Sequence, residues 1–310
     1  MAERELEKGL VKTVVGIITD IQRFSLNDGP GIRTTVFFKG CNMACKWCHN
    51  PETINGRNQL MFYEDQCIGC GRCFSVCPQS VHRMEDDKHV IDFDRCVACG
   101  KCVEACFAEA LRFPGREVTV EEVGREIVQD IPYYQLSEGG VTLSGGEVFC
   151  QTAFAEKIVD FCKEKGIPVA VETNLYHNFA VIEPVLKKLD LVMCDLKIWD
   201  EEKHKTYTGV SSQLIKENMK KLDALGIPMI VRTPLIPGAT DDNENLLSIA
   251  EFLAGLKNVQ YYELLNFNPL GGSKYKALHY TYDYADAKPF SQARLEEIKK
   301  LLKDYRVKIS

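Results

Sequence analysis

Eleven of the 14 cysteines in this 310-residue chain lie in three short runs. The first run has three cysteines, which are Cys41, Cys45 and Cys48. The other two runs have four each: Cys67, Cys70, Cys73 and Cys77, then Cys96, Cys99, Cys102 and Cys106. A cubane iron–sulfur cluster has four irons, and each iron needs one ligand from outside the cluster. Four cysteines can therefore saturate a cluster. Three cysteines leave one iron open, and an open metal position is where chemistry takes place.

Both four-cysteine runs have the spacing C-x2-C-x2-C-x3-C, which resembles that of bacterial two-cluster ferredoxins. In that pattern the fourth cysteine of each run ligates the other cluster. The resemblance gives two ligand sets, Cys67, Cys70, Cys73 and Cys106 for one cluster, and Cys96, Cys99, Cys102 and Cys77 for the second. Two structural zinc sites are the alternative, but zinc usually takes two separated C-x-x-C pairs. Pro78 keeps the ferredoxin pattern after Cys77, whereas Phe107 replaces that proline after Cys106.

Composition and charge argue against nucleic-acid-binding, membrane and secreted disulfide proteins. The net charge is −6 and no basic tract stands out, so nucleic acid is not an expected partner. No run of 18 apolar residues predicts a membrane span, and Met1–Lys12 is charged and lacks the apolar region of a signal peptide. So many cysteines could indicate secreted disulfides, but C-x-x-C clusters in a large chain favour metal binding. We expect a soluble, cytoplasmic metalloprotein.

Outside the four-cysteine runs, strand-like apolar stretches alternate with helical patterns. The predicted strands are Thr34–Phe38, Val141–Leu143, Pro168–Val171, Leu191–Asp195, Met229–Thr233 and Tyr261–Leu265. The predicted helices, with apolar residues three and four apart, are Phe154–Lys165, Val181–Leu189, Leu214–Leu225 and Leu246–Leu256. Gly166 and Gly226 follow two of these helices, where a left-handed cap suits glycine. The alternation predicts parallel β/α units.

Six predicted strands are too few for the usual eight-stranded barrel, so we expect an open, partial (β/α)6 barrel. Ligands of parallel β/α proteins gather at the carboxyl ends of the strands. Polar motifs follow five of the predicted strands: Cys41, Ser144–Glu147, Glu172–Asn174, Asp195–Lys197 and Arg232. The sequence therefore predicts a binding site at that edge of the sheet.

Residues 61–112 interrupt the β/α pattern and contain an internal duplication. The segment that starts at Asp65 aligns without gaps with the segment that starts at Asp94, and each half ends near a short apolar run. Halves this small cannot form a core of their own, so we expect metal to stabilise them. The predicted domains are a discontinuous barrel, residues 1–60 and 113–310, and an inserted ferredoxin-like domain, residues 61–112.

The three-cysteine run, with Trp47 before its last cysteine, resembles the signature of the radical S-adenosylmethionine (SAM) superfamily. That superfamily is built on a partial (β/α)6 barrel. The flanking segments Asp28–Arg33 and Cys48–Glu52 are similar to those of glycyl-radical-enzyme activating enzymes, many of which carry a ferredoxin-type insert. The resemblance covers nearly the whole chain.

This resemblance implies an oxidoreductase with three [4Fe–4S] clusters. Its open iron, on the cluster of Cys41, Cys45 and Cys48, would chelate the amino and carboxylate groups of SAM. One electron, from a donor such as flavodoxin or ferredoxin, would cleave SAM to a 5′-deoxyadenosyl radical. The radical would abstract hydrogen from a glycine of a partner glycyl radical enzyme. The protein would orient the reactants and exclude water and oxygen, so we expect it to act anaerobically. We also expect it to be a monomer.

The resemblance also implies which residues contact SAM. Gly145, Gly146 and Glu147 match the motif that holds the SAM amino group, although Val148 stands where the family usually has proline. The remaining implied SAM contacts are Trp47, Asp195, Lys197, Arg232 and Asn268, which stands where relatives often have histidine. In some relatives a small monovalent cation lies beside SAM, at positions matching Glu172, Thr173, Met193 and Asp195.

Other residues are given more modest roles. The resemblance implies that Asp28 holds the backbone of the incoming glycyl loop. The alternative is that Asp28 only stabilises the turn in which it lies. Arg33 is expected to be structural. Cys150, Cys162 and Cys194 lie outside the runs and are predicted to be buried small hydrophobes. The six histidines show no spacing typical of metal ligands.

Two rival functions stay open from sequence alone. One is a radical SAM enzyme that acts on a small molecule, and the other is a plain electron carrier in which only the insert matters. The insert of an activating enzyme could relay electrons to the SAM cluster or dock the partner. Nothing in the chain identifies the partner, which could be a dehydratase or lyase such as trans-4-hydroxyproline dehydratase or choline lyase.

Overall fold

The structure is a computed structural model that describes residues 14–310. The charged segment Met1–Lys12 lies outside the described residues. No helix within residues 14–310 is both long enough and apolar enough to cross a membrane.

The described chain alternates strands with helices. The strands are β1 (Val15–Ser25), β2 (Arg33–Phe38), β3 (Met61–Phe62), β4 (His82–Glu85), β5 (Lys88–Ile91), β6 (Leu111–Arg112), β7 (Arg116–Thr119), β8 (Gly140–Gly145), β9 (Val169–Thr173), β10 (Leu191–Asp195), β11 (Met229–Pro234), β12 (Val259–Leu265) and β13 (Val307–Ile309). The α-helices are α1 (Arg72–Val76), α2 (Lys101–Glu104), α3 (Val120–Val128), α4 (Ile131–Ser137), α5 (Thr152–Glu164), α6 (Phe179–Leu186), α7 (Glu201–Thr208), α8 (Gln213–Ala224), α9 (Asn243–Ala254), α10 (Gly272–Ala277) and α11 (Gln292–Leu301).

The main sheet has nine strands in the order β13-β12-β11-β10-β9-β8-β2-β1-β7. The six predicted strands form its centre, and every pairing among them is parallel. The sheet is open, because β13 and β7 are its two ends and are not paired to each other. The prediction of a parallel β/α fold is confirmed.

Helices cover the outer face of this sheet, which explains why the central strands are apolar along their whole length. Strand β8 is buried at its first five positions, and β10 at its first four. Helix α5 buries Phe154, Ala155, Ile158, Val159 and Cys162, which share one face at the 3.6-residue period. Burial of each large apolar side chain contributes about 1.5–3 kcal/mol.

The predicted helix ends are confirmed. Gly166, after α5, has φ +67°, and Gly226, after α8, has φ +74°. Both values lie in the left-handed region, which glycine adopts without steric cost. Each glycine therefore allows the chain to turn from a helix straight into the next parallel strand.

Three strands of the main sheet were not predicted. Strand β1 pairs antiparallel with both β2 and β7, and β13 adds a parallel edge strand beside β12. β1 alternates between buried or partly buried and exposed positions over much of its length, so it carries little of the continuous apolar signal of the central strands. Its position is set by pairing with β2.

The insert begins and ends on one small ladder. Met61 of β3 pairs with Arg112 of β6, and Phe62 pairs with Leu111, so the two ends of the segment meet. Between them, β4 and β5 form a separate hairpin. The insert has its own small cluster of buried residues, consisting of Leu60, Cys73, Val81, Ile91, Cys102 and Leu111. Two of these six are cysteines, so the core of the insert depends on what those cysteines bind.

The insert packs against the segment that follows β12. Met61 packs with Ala277 and Leu278, and the ring of Phe93 stacks on that of His279 with centroids 5.4 Å apart. The same segment reaches the three-cysteine loop, because the Lys274 Nζ donates to Asn50 Oδ1 at 2.7 Å. One segment of the chain therefore contacts both cysteine regions.

Candidate active site

A cavity of about 340 Å³ opens at the carboxyl ends of the six central strands. Each of these strands contributes to its wall. The lining residues that follow or end the strands include Cys41, Cys45, Cys48, Ser144, Gly145, Gly146, Glu172, Thr173, Asn174, Met193, Asp195, Lys197, Arg232, Pro234, Asn266 and Asn268. Polar motifs that are up to 227 residues apart in sequence, from Cys41 to Asn268, meet at one edge of the sheet because the strands run parallel.

The three-cysteine loop follows β2 and is held in place by backbone hydrogen bonds. Cys41 N donates to Ile54 O at 3.0 Å, and Ala44 N donates to Thr208 O at 2.9 Å. Inside the loop, Cys48 N donates to Cys45 O at 3.1 Å. The loop is thus fixed both to its own continuation and to the end of α7, and all three thiols line the cavity.

These three cysteines suit metal ligation. Burial raises the pKa of Cys41 and of Cys45, and it raises the pKa of Cys48 to about 12. A thiol with such a pKa stays protonated at neutral pH unless a metal displaces the proton. Lys197 opposes this effect for Cys45 and Cys48, since a cation stabilises the thiolate form. The three-cysteine set therefore fits an iron cluster with one open iron.

The two glycines of the Gly145-Gly146-Glu147 motif line the cavity, but the carboxylate of Glu147 does not. Glu147 is 1% exposed and accepts hydrogen bonds from Thr173 Oγ1 at 2.8 Å and from Asn174 N at 2.8 Å. Its role in the structure is to tie the end of β8 to the end of β9. A Cβ on Gly146 would lie 2.3 Å from Gly40 O, so only glycine allows this wall to meet the cysteine loop.

Asp195 and Lys197 form an ion pair in the wall of the cavity. Lys197 is 9% exposed. Burial by itself would lower the pKa of Lys197, but the charges of Asp195 and Cys45 outweigh burial and raise it. The lysine is therefore a fixed positive charge beside the cysteine loop.

Arg232 is held between two carboxylates. It pairs with Glu172 through Nη1 and donates from Nε to Glu263 Oε2 at 2.8 Å. Burial would lower the pKa of Arg232, but Glu172 and Glu263 outweigh burial and raise it, so the guanidinium stays charged. Glu263 is buried on β12, and sequence reasoning missed it because a glutamate inside a strand pattern carries no motif. The signal available was a charged residue in an otherwise apolar strand.

The residues matched to a cation site have other partners in the structure. The carboxylate of Glu172 accepts from Ser144 as well as from Arg232. The hydroxyl of Thr173 donates to Glu147. Glu172 and Thr173 are thus both engaged in holding neighbouring strand ends together.

Trp47 and Asn268 both line the cavity. Trp47 is 6% exposed and packs against the rings of Tyr207 and Tyr284, with centroids 5.9 and 6.3 Å away. Asn268 is exposed, and its Oδ1 accepts from Leu270 N at 3.0 Å. The tryptophan therefore supports the cysteine loop from behind, and the asparagine begins the turn that closes the end of β12.

Asp28 does not line the cavity. Its Oδ2 accepts from Ser25 Oγ at 2.6 Å and from Thr35 Oγ1 at 2.7 Å, which stabilises the turn between β1 and β2. Arg33 donates to Thr142 Oγ1 and to Val141 O, so its role is structural, as expected. The contacts of Asp28 in this structure are therefore those of a turn residue.

The three cysteines outside the runs differ in solvent exposure. Cys162 and Cys194 are fully buried, as predicted. Cys150 is exposed, so its prediction was wrong. It lies on the short turn between β8 and α5, one residue outside the buried Val148–Phe149 pair, and the helical pattern did not resolve that turn. All 14 cysteines lie in the described part of the chain, and none forms a disulfide there.

In the insert, the structure brings together the cysteines that the ferredoxin pattern pairs across the duplication. Cys67, Cys70, Cys73 and Cys106 line one small cavity of about 20 Å³. Cys77, Cys96, Cys99 and Cys102 line a second small cavity of about 10 Å³. Four thiols around each cavity suit a saturated cubane cluster, with the fourth cysteine crossing to the other half.

One cluster of side chains was missed from sequence. Cys73, His82 and His89 offer ligand atoms that all lie within 4.8 Å of one another. The histidines are seven residues apart, a spacing that carries no signal until the β4–β5 hairpin places them side by side.

Comparisons with known proteins agree with this architecture. The Radical SAM superfamily model matches residues 35–250. The trans-4-hydroxy-L-proline dehydratase activating enzyme of Clostridioides difficile is 42% identical, over 92% of this chain and 95% of that protein. The benzylsuccinate synthase activating enzyme of Thauera aromatica is 39% identical, over 89% of this chain and 86% of that protein. The crystal structure of a radical SAM methyltransferase from Sphaerobacter thermophilus aligns with a TM-score of 0.55 at 12% identity, over 100% of this chain and 80% of that one, which shows a shared fold.

Proposed function

Because this chain belongs to the radical SAM superfamily, and within it to the glycyl-radical-enzyme activating enzymes, we propose that its strand-end cavity is where SAM binds. The protein is an enzyme that uses SAM and a [4Fe–4S] cluster and acts on a glycyl radical enzyme. We also propose which residues bind SAM, how many clusters the protein holds and which glycyl radical enzyme is its partner.

The observation that carries the proposal is the position of the three thiols. Cys41, Cys45 and Cys48 share one wall of a cavity whose other walls are the polar ends of the parallel strands. The bound cluster and SAM would supply the chemistry, in which one electron cleaves SAM to a 5′-deoxyadenosyl radical that takes hydrogen from a glycine. The chain supplies the ligands, the charges and the enclosure.

The charges of the cavity suit the amino-acid part of SAM. Lys197 and Arg232 are buried and stay positive, so they favour a carboxylate. Gly145 and Gly146 let this wall pack directly against the backbone of Phe38 and Gly40, and both glycines line the cavity, where we place the SAM amino group. Asp195 fixes Lys197 through their ion pair. We assign SAM orientation to these five residues, with Trp47 and Asn268 shaping the rim.

We further propose that residues 61–112 form a ferredoxin-like domain with two saturated clusters, which gives three clusters in all. The two rings of four cysteines around separate cavities support this. Relay of electrons from a flavodoxin or ferredoxin is the favoured role. Its support is the segment from Lys274 to His279, which touches the three-cysteine loop at Asn50 and the insert at Phe93.

For the partner, we propose a dehydratase of the trans-4-hydroxyproline type, on the strength of the 42% identical relative. The 39% identical relative serves a synthase of different chemistry, so identity separates the candidates only narrowly. The choice is therefore to be made by experiment.

The test is anaerobic incubation of the reconstituted protein with SAM and dithionite, with and without purified candidate glycyl radical enzymes. We expect a glycyl radical doublet by electron paramagnetic resonance (EPR) only when a partner is present, together with 5′-deoxyadenosine. Candidate partners are compared in parallel, and the hydroxyproline dehydratase should give the fastest doublet.

Two results would contradict the proposal in different ways. SAM cleavage stimulated by a small molecule, with no doublet on any partner, would favour a radical SAM enzyme with a small substrate. Electron transfer to an acceptor with no SAM cleavage at all would favour a plain electron carrier.

A further inference from the structure

Two histidines of the insert form a hydrogen-bonded pair next to cysteines of the first run. His82 Nδ1 lies 3.0 Å from His89 Nε2. His89 Nδ1 lies 3.6 Å from Cys67 Sγ, within the range of a hydrogen bond to sulfur. Cys73 Sγ is 3.8 Å from His89 Nε2. Each ring nitrogen of His89 therefore lies near a cysteine of the first run, and Nε2 lies closer still to the second imidazole.

The pair spans the two cysteine cavities of the insert. His89 lines the cavity of Cys67, Cys70, Cys73 and Cys106. His82 lines the cavity of Cys77, Cys96, Cys99 and Cys102. His82 is 5% exposed, and its Nε2 is buried without a hydrogen-bond partner among the described residues. A buried polar atom without a partner is unusual and calls for an explanation.

The duplication has no second copy of this pair. Corresponding cysteines of the two halves are 29 residues apart, since 96 minus 67 is 29, and the same offset takes His82 to Leu111. Leu111 also begins a strand and is also buried. His89 corresponds in the same way to Val118, which lies on β7 of the main sheet. Val118 lies outside the insert, so the second half has an apolar residue in place of His82 and no counterpart of His89.

Ligand chemistry decides where the protons lie. A cysteine bound to iron is a thiolate, which accepts hydrogen bonds and cannot donate them. His89 has two such contacts, and the shorter one, from Nδ1 to Cys67 Sγ at 3.6 Å against 3.8 Å from Nε2 to Cys73 Sγ, places the proton on Nδ1. In a neutral ring that leaves His89 Nε2 as an acceptor, so His82 Nδ1 must donate to it. Each imidazole thus fixes the tautomer of the next.

We propose that His89, held in its tautomer by His82, donates a hydrogen bond to a thiolate ligand of the first insert cluster and gives that cluster a higher reduction potential than the second. This inference rests on the proposed two-cluster insert. Reduction adds negative charge to a cluster, and a hydrogen bond to its sulfur stabilises that charge. The second cluster has an unpaired acceptor, His82 Nε2, facing it instead. The first insert cluster is therefore reduced more readily than the second.

The same three residues could instead bind a separate metal ion, because Cys73, His82 and His89 lie within 4.8 Å. Cys73 belongs to the four-cysteine ring of the first cavity, and a thiol that ligates a cluster iron is not free for another ion. A loaded first cluster and a zinc ion on these residues therefore exclude each other. Zinc analysis of the holoprotein distinguishes them.

The experiment is an EPR-monitored redox titration of the insert clusters in the full-length chain. Cys41, Cys45 and Cys48 are replaced by alanine in this background, so that only the insert contributes. For His89→Leu we expect the reduced-to-oxidised ratio of the higher-potential cluster to fall about tenfold at a given potential, which is about 59 mV for one electron. The lower-potential cluster should not move. His89→Gln, which keeps an N–H donor, should recover most of the ratio, and His82→Leu should give a smaller fall.

Unchanged titration of His89→Leu at full iron content would overturn the inference, and so would a shift of the lower-potential cluster alone. A stoichiometric zinc ion in the wild-type insert would also overturn it. If substitution prevents cluster loading, pulsed EPR of the reduced wild-type protein with ¹⁵N-labelled histidine decides, since the bond predicts a histidine nitrogen coupling. Wild-type protein without insert iron and sulfide would instead refute the proposed function.

Discussion

Arg232 on β11 donates from its Nε to Glu263 on the neighbouring strand β12 across 2.8 Å, and both residues are buried. Glu263 does not line the cavity, whereas Arg232 does. The other oxygen of Glu263 accepts from Ser310 Oγ at 2.7 Å, which ties the pair to the strand end beyond β13. The orientation of a cavity arginine is thus set by a carboxylate behind it.

Replacement of Glu263 by glutamine should therefore weaken SAM binding. The variant loses a charge-assisted hydrogen bond, which contributes about 1.5–3 kcal/mol. We expect the KM for SAM in uncoupled cleavage to rise roughly tenfold, about 1.4 kcal/mol, with a smaller change in kcat. Lys308→Gln is the control, because Lys308 is exposed and 3.9 Å from the same carboxylate. A fall in kcat at constant KM would show that Arg232 acts in the reaction step instead.

Cys41→Ala should abolish production of 5′-deoxyadenosine and remove one cluster while the insert keeps its own. Two remaining cysteines cannot hold a cluster at three corners. Iron analysis and chromatography of the cleavage products test this. Cys162→Ala, at a cysteine buried in α5 away from the runs, should retain both iron and activity. Continued cleavage by Cys41→Ala would refute the assignment of the catalytic cluster.

Gly146→Ala should disrupt the wall between the glycine motif and the cysteine loop. Its Cβ would lie 2.3 Å from Gly40 O, a backbone atom that cannot move alone. We expect a loss of about 1–3 kcal/mol in stability, as for other overpacked sites, and weaker SAM binding. Thermal unfolding and equilibrium dialysis with labelled SAM measure the two effects. Gly255→Ala is the matched control, since its nearest neighbour would be 3.4 Å away, and equal behaviour of both variants would contradict the prediction.

His177 should stabilise the fold in a pH-dependent way. Burial would lower the pKa of His177, but the neighbouring Cys150 and the carboxylate of Glu147, 3.6 Å from His177 Nε2, outweigh burial and raise it to about 9 from 6.5. Because the folded pKa is the higher one, the stabilisation is fully present below pH 6.5 and is lost as pH rises through about 9. The difference in apparent unfolding temperature between wild type and His177→Gln should therefore shrink over this interval.

His204→Gln provides the control for that measurement. Burial lowers the pKa of His204 to about 4 from 6.5, so its imidazole is neutral in the folded chain and largely neutral in the unfolded chain over most of the interval up to pH 9. Its effect on the unfolding temperature should be constant over the same interval. A constant difference in unfolding temperature for His177→Gln would show that protonation of His177 beside Glu147 does not stabilise the fold.

Much of the fold could be predicted because local patterns and tertiary pairing agree in the centre of the sheet. Leu191–Asp195 was predicted with the bounds that β10 has, and the other five central strands differ by a few residues at their ends. Strand β1 and the two edge strands, β7 and β13, were missed, because a strand that is half exposed or only three residues long has no continuous apolar run. Pairing with a neighbour, which has no local signal, makes them strands.

The sequence by itself determined the ligand chemistry of this protein. The number and spacing of the cysteines distinguish a three-cysteine set from two sets of four, since ligand count is a covalent property of the chain. Only the tertiary structure decided which partners the other polar residues take. Glu147 turns away from the cavity toward β9, Asp28 is held in its own turn, and Arg232 is gripped by Glu263. The physical reason is that a buried polar side chain must be paired, and its partner is whichever group the fold brings within hydrogen-bond distance.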